Sequence, residues 1–124
     1  MAVTTLTPIA LALDTASADL PDASGTVAAT PADGWSCDVT GYKANRILFK
    51  FLADATGDTV YINAGDYPPA ARQGLGAISV VLAASDVRFI VVEAARVMQS
   101  DGTITAYCAD AGTMAWCFIL PLGV

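Results

Sequence analysis

Residues 94–121, AARVMQSDGTITAYCADAGTMAWCFILP, decide how the chain is read. They fall into three short β-runs joined at Asp101-Gly102 and Ala111-Gly112. An Asp-Gly pair supplies the positive-φ positions that a tight hairpin turn needs, so the stretch is expected to be a β-meander. With Asp101 and Gly102 at the tip, Ser100 faces Thr103, Gln99 faces Ile104, and Arg96 faces Tyr107, where a guanidinium can stack on a ring. In the last run Met114, Trp116, Phe118 and Leu120 share one face, and Ala115, Cys117 and Ile119 share the other. Both faces are apolar. Such a strand is either enclosed between layers of its own protein or covered by another molecule.

The rest of the composition points the same way. Of the 124 residues 55% are hydrophobic and only 15% charged, against about 25% charged in an ordinary soluble domain. That length makes one domain, and its charge is too sparse to cover a solitary sphere. The longest apolar runs are interrupted by Thr, Ser, Pro and Gly and fall short of the roughly 18 residues of a membrane span. The first basic residue is Lys43, so the N-terminus has no positively charged region of the kind that opens a secretory signal, and use without export is expected. Residues 1–42 carry five Asp and no base, and the remainder has seven acids and six bases. Nucleic acid is not an expected partner, because phosphate binding needs clustered cations.

In chain order, residues 1–34 are rich in Ala, Thr, Asp and Pro and lack aromatic residues. They read as an extended N-terminal arm, with Thr7, Pro8, Ile9, Leu11 and Leu13 as a segment that could add to a neighbour's sheet edge. An ordinary edge strand plus a loop is the other reading, and a helix over residues 9–18 is disfavoured because Thr and Asp break its apolar stripe. Residues 35–39 are a short strand. Residues 46–53 are the clearest strand of all, with Ile47, Phe49, Phe51 and Ala53 on one face and Arg46, Leu48, Lys50 and Leu52 on the other. A turn at residues 54–58 leads into a strand at 59–64, and the two are expected to form a hairpin. Residues 65–76 contain Tyr67, Pro68 and Pro69 and read as a long surface loop, a candidate contact patch. Strands are expected at 77–83 and 87–93, where β-branched residues dominate.

The fold expected from residues 35–124 is therefore all-β: an antiparallel β-sandwich or barrel, jelly-roll or Ig-like, preceded by the arm. Catalytic signals are missing. There is no histidine, which removes the commonest general base and neutral metal ligand. The three cysteines lack a zinc spacing and, with Cys108 and Cys117 expected as diagonal neighbours about 7–8 Å apart, read as free thiols in a reducing compartment. Asp54 and Asp58 flank a glycine-containing turn without the dense pattern of a calcium loop, and read as a solvated turn. Glu93, the only glutamate, can pair with Arg96. No enzyme, cofactor or metal is expected.

The ordered set GDTVYINAGDYPPAARQGLG, DVRFIVVEAARVMQSDGTI and the closing FILP, after a leader beginning TPIALAL, resembles the small structural proteins of tailed bacteriophages, in particular capsid decoration (cement) proteins. The resemblance covers most of the chain and rests on overall pattern. It implies a β-rich protein, often a homo-trimer, that binds the major capsid protein on the virion exterior after assembly in the host cytoplasm and stabilises the head. The arm would dock on the capsid, while Trp116 and Phe118, or Tyr67, Pro68 and Pro69, would contact the capsid or other subunits. A tail or head-completion protein is one alternative. A non-catalytic module binding carbohydrate or a host surface is another.

Overall fold

The computed structural model describes residues 3–17, 19–21, 24–42, 46–63, 77–93, 97–99 and 101–121. Among the described residues there are ten strands: β1 (Thr4–Thr5), β2 (Ile9–Ala10), β3 (Thr26–Val27), β4 (Trp35–Asp38), β5 (Arg46–Leu52), β6 (Asp58–Ile62), β7 (Ile78–Leu82), β8 (Val87–Glu93), β9 (Thr103–Cys108) and β10 (Met114–Ile119). They form two sheets of five strands. One has the order β1-β4-β9-β6-β7; the other has β2-β10-β5-β8, with β3 also on β10. Both are open and mixed, since β1 runs parallel to β4 and β2 parallel to β10 while the remaining pairs are antiparallel.

Alternation predicts the strand faces well. Ile47, Phe49, Phe51 and Ala53 are all buried, as are Val60 and Ile62 of β6. Trp35, Cys37, Ile104 and Ala106, from the same sheet as β6, join them in a core that faces β5. The Trp35 and Phe51 rings lie 6.0 Å apart. Burying side chains from both sheets against one another supplies the main apolar drive for the fold.

Strand pairing departs from the expected meander. β9 and β10 do not pair: β9 lies between β4 and β6, whereas β10 lies beside β5 in the other sheet. The expected hairpin of β5 with β6 is likewise absent, because β5 pairs with β10 and β8. From β4 onward only β6 and β7 are consecutive strands of one sheet. Of the turn residues only the glycines take a positive φ, Gly102 at 87° and Gly112 at 101°, while Asp101 and Ala111 do not. A turn signal specifies that the chain reverses, and is silent on whether the next strand pairs or crosses to the other layer. Ser100 and Arg96, expected opposite Thr103 and Tyr107, lie outside the described residues, and Gln99 donates its N–H to the Thr103 carbonyl (2.7 Å) instead of facing Ile104.

Asp58 fixes the crossing from β9 to β10. Its Oδ1 accepts the N–H groups of Thr59 (2.7 Å), Ala109 (3.0 Å) and Asp110 (2.9 Å), and its Oδ2 accepts the Thr113 hydroxyl (2.6 Å). Both Asp58 and Thr113 are buried, so the solvated-turn reading of Asp58 is corrected: the carboxylate satisfies donors that leave the ladder where the chain changes sheets.

Three other aspartates share one device. Asp38, Asp54 and Asp101 each accept both the N–H and the hydroxyl of the threonine two residues on, Thr40, Thr56 and Thr103, at 2.7–3.1 Å. For Asp38 and Asp101 the hydroxyl is the larger cause holding the carboxyl below its ordinary value, and for Asp54 it is the backbone N–H. These Asp-x-Thr turns compete locally with the ladder and so mark strand ends.

The N-terminal residues belong to both sheets. Leu6 is buried in the core, Thr4 and Leu6 donate to the carbonyls of Gly34 and Ser36, and Leu11 donates to that of Ile119 (each 2.9 Å). Leu6→Ala should therefore cost about 2–4 kcal/mol in urea unfolding, as a core truncation does; a change within about 0.5 kcal/mol would mark the segment as a loose arm. Acid should also destabilise. As pH falls from about 5 to about 2, the unfolded chain takes up protons at Asp38, Asp54 and Asp101 before the native one does, and their contribution is lost. The Asp→Asn triple variant should show a shallower decline of the urea midpoint over that range.

Candidate docking surface

The outward faces of the two sheets differ in chemistry. Outward on the β1-β4-β9-β6-β7 sheet are Ser36, Asp38, Thr59, Tyr61, Thr103, Thr105, Tyr107 and Ser79, with Val81 the apolar exception. Tyr61 and Tyr107 stack at 4.9 Å, each ring covering one face of the other.

The other sheet is apolar on the outside as well as the inside. Register places Leu52 beside Met114 and Val87, Lys50 beside Trp116 and Phe89, and Leu48 beside Phe118 and Val91. One side of this face is covered by the chain itself. β2 and β3 pair with β10, the Trp116 indole N–H donates to the Ser24 hydroxyl (3.0 Å), and a Cβ on Gly25 would stand 2.7 Å from Met114 and Trp116. Glycine is what lets the backbone pass this close. Trp116 and Phe118 are buried, at 3% and 7% exposure, and the Trp116 ring is turned to Ser24 and Gly25.

The other side is open. Val87, Phe89 and Val91 are 45%, 60% and 53% exposed, and the half-buried Leu48 and Leu52 continue the strip across β5. Lys50 lies between the aromatic rings, with Nζ 4.5 Å from the Trp116 centroid and 5.9 Å from that of Phe89, so its stem extends the apolar surface and its charge rests on the ring faces. Arg46 opposite Glu93 closes one end. β8 is the last strand of its sheet, and among the described residues nothing pairs with its other edge. An apolar strip beside an unpaired strand edge can take a partner by packing and by main-chain hydrogen bonds together.

Of the residues singled out from sequence, Thr7, Pro8, Ile9 and Leu11 lie along the β10 edge or its approach, Ile9 pairing with Phe118, and Leu13 is 60% exposed. Tyr67, Pro68 and Pro69 lie outside the described residues. Phe89 and Val91 were legible as strand residues, yet their outward exposure depends on β8 being an edge strand, which no local pattern encodes. Among the described residues no group of three or more Cys, Asp or Glu side chains is placed to hold a metal ion. Compared with protein-family models, with curated proteins and with solved structures, the chain matches none.

Because the strip faces outward, the double variant Phe89→Ser, Val91→Thr should unfold within about 1 kcal/mol of the parent while losing most of its binding of an apolar fluorescent dye. A large drop in stability would show instead that these side chains are part of the packing.

Proposed function

We propose that this chain is a structural protein of a tailed-phage head, a decoration protein that binds the major capsid protein on the virion exterior, as a homo-trimer, and stabilises the assembled shell. The observation that carries this reading is the exposed strip of Val87, Phe89 and Val91 on an unpaired edge strand. It is joined by the resemblance of the sequence to cement proteins and by a surface whose chemistry is suited to contact. The two open sheets with one shared core are read as a β-sandwich, jelly-roll or Ig-like in its repeated crossings between layers, with the N-terminal residues as an embracing segment.

On this reading the capsid contact is the β8 strip, which takes the role first given to Trp116 and Phe118. The N-terminal residues position the strip's neighbour β10 and leave β8 open. Copies would join through surfaces beyond the strip, so that each trimer presents three strips to surrounding capsomers.

The test is sedimentation of the protein with bare, expanded heads of the phage that encodes it. The parent should co-sediment, and Phe89→Ser with Val91→Thr should weaken binding tenfold or more, the loss expected when central apolar contacts are removed. Equal binding by parent and variant would exclude the strip, and absence of co-sedimentation by a folded parent would exclude the decoration role.

A further inference from the structure

Cys37 and Cys117 are eighty residues apart in sequence and belong to different sheets, on β4 and β10. Their Sγ atoms lie 2.8 Å apart in the core, and each residue is at most 1% exposed. A disulfide needs sulfurs at about 2.05 Å, so closure asks for a movement of about 0.8 Å. Neighbouring rows hold the two side chains in place: Cys37 pairs with Ile104, and Cys117 with Phe49. Cys108 is differently placed. Its thiol donates to the Asp110 carbonyl (3.2 Å), and burial, with Asp58 beside it, pushes that thiol up to about 12.

We propose that Cys37 and Cys117, free thiols in this structure as the sequence leads one to expect, are the site of an intramolecular disulfide that ties the two sheets together through the core once the protein meets an oxidising medium. The inference does not depend on what the β8 strip binds. With glutathione disulfide as the oxidant, the thiolate of one cysteine attacks a glutathione sulfur, forms a mixed disulfide and releases one glutathione thiolate. The thiolate of the second cysteine then attacks the protein sulfur of that mixed disulfide and releases the other. One S–S bond is broken in the oxidant and one formed in the protein, and the two thiol protons end on the two glutathiones. In the folded, reduced protein the hydrogen bond from Cys37 and then burial push the Cys117 thiol upward, so its thiolate is scarce and the buried pair reacts slowly. The bond therefore closes fastest when the chain refolds in the presence of the oxidant.

The test uses the full chain, unfolded in urea with reductant and refolded with or without a glutathione redox buffer. Oxidative refolding should remove two hydrogens from the intact mass and leave one thiol open to iodoacetamide after denaturation, with peptide mapping joining Cys37 to Cys117. Cys108→Ser should behave like the parent, and Cys37→Ala should keep its remaining thiols free. The oxidised parent should melt about 10 °C higher than the reduced one, the order expected for so long a closed loop, and a phosphine reductant should abolish the difference. Three free thiols in the parent after oxidative refolding, or a bond that includes Cys108, would overturn the assignment. A Cys37–Cys117 bond with no gain in melting temperature would overturn its role as a tie between the sheets. Mapping of the parent decides the matter even if Cys37→Ala fails to fold.

Discussion

Strand β10 carries no polar side chain, so neither of its faces can be left to water without cost. Its inner face, Ala115, Cys117 and Ile119, packs into the shared core. Its outer face, Met114, Trp116 and Phe118, has to be covered by something else: residues 24–25 pass over Met114 and Trp116, while residues 9–11 and 26–27 pair along the edge of β10. Burying a side chain the size of Trp or Phe is worth about 2–3 kcal/mol, enough to hold a segment that has few regular hydrogen bonds of its own. The course of residues 24–27 therefore answers the two-sided apolarity of one late strand, while residues 4–6 are held by β4 and the core.

That cover reaches only part of the sheet. β10 lies beside β5, and β5 beside β8, and on β8 the outward positions Val87, Phe89 and Val91 remain in solvent. The sheet opposite has Thr, Ser and Tyr at most of its outward positions, so it meets water on easy terms. One molecule thus presents a wettable face and a face that is partly self-covered and partly open. Natural edge strands commonly carry charges or bulges that discourage pairing. β8 has Arg88 and Glu93 near its ends and an apolar centre, an arrangement that excludes indiscriminate stacking less firmly than it permits a specific partner.

Much of this was readable from local pattern. Alternation in residues 46–53 identified the buried face of β5, and the two apolar faces of residues 114–120 announced a strand needing cover on both sides. Pairing was not readable, because the same Asp-Gly and Ala-Gly turns serve a hairpin and a crossing equally well. What decides between them is Asp58, whose carboxylate gathers the amides of Ala109 and Asp110 and the Thr113 hydroxyl. An aspartate fifty residues upstream of its partners, followed by Thr59, carries the local signature of a solvated turn. The same limit applies to the cysteines: a meander puts Cys117 near Cys108, whereas the crossing delivers it to Cys37.

Rigidity links the core to the open strip. All seven residues of β8 are in register with β5, from Val87 opposite Leu52 to Glu93 opposite Arg46, and the inward Val92 is buried. The exposed Phe89 and Val91 flank the half-buried Ile90, and Val92 beyond them is buried, so their spacing is set by the strand and not by a partner. A surface ordered before contact loses less conformational entropy on binding than a loop of the same composition. Lys50 adds direction, since its ammonium group is seated between the Trp116 and Phe89 rings and turns one point of an otherwise apolar strip positive. A partner fitted to this surface has a flat apolar strand region with a carboxylate or carbonyl opposite Lys50. An all-apolar partner would have to bury that charge uncompensated, and this cost separates specific docking from general stickiness.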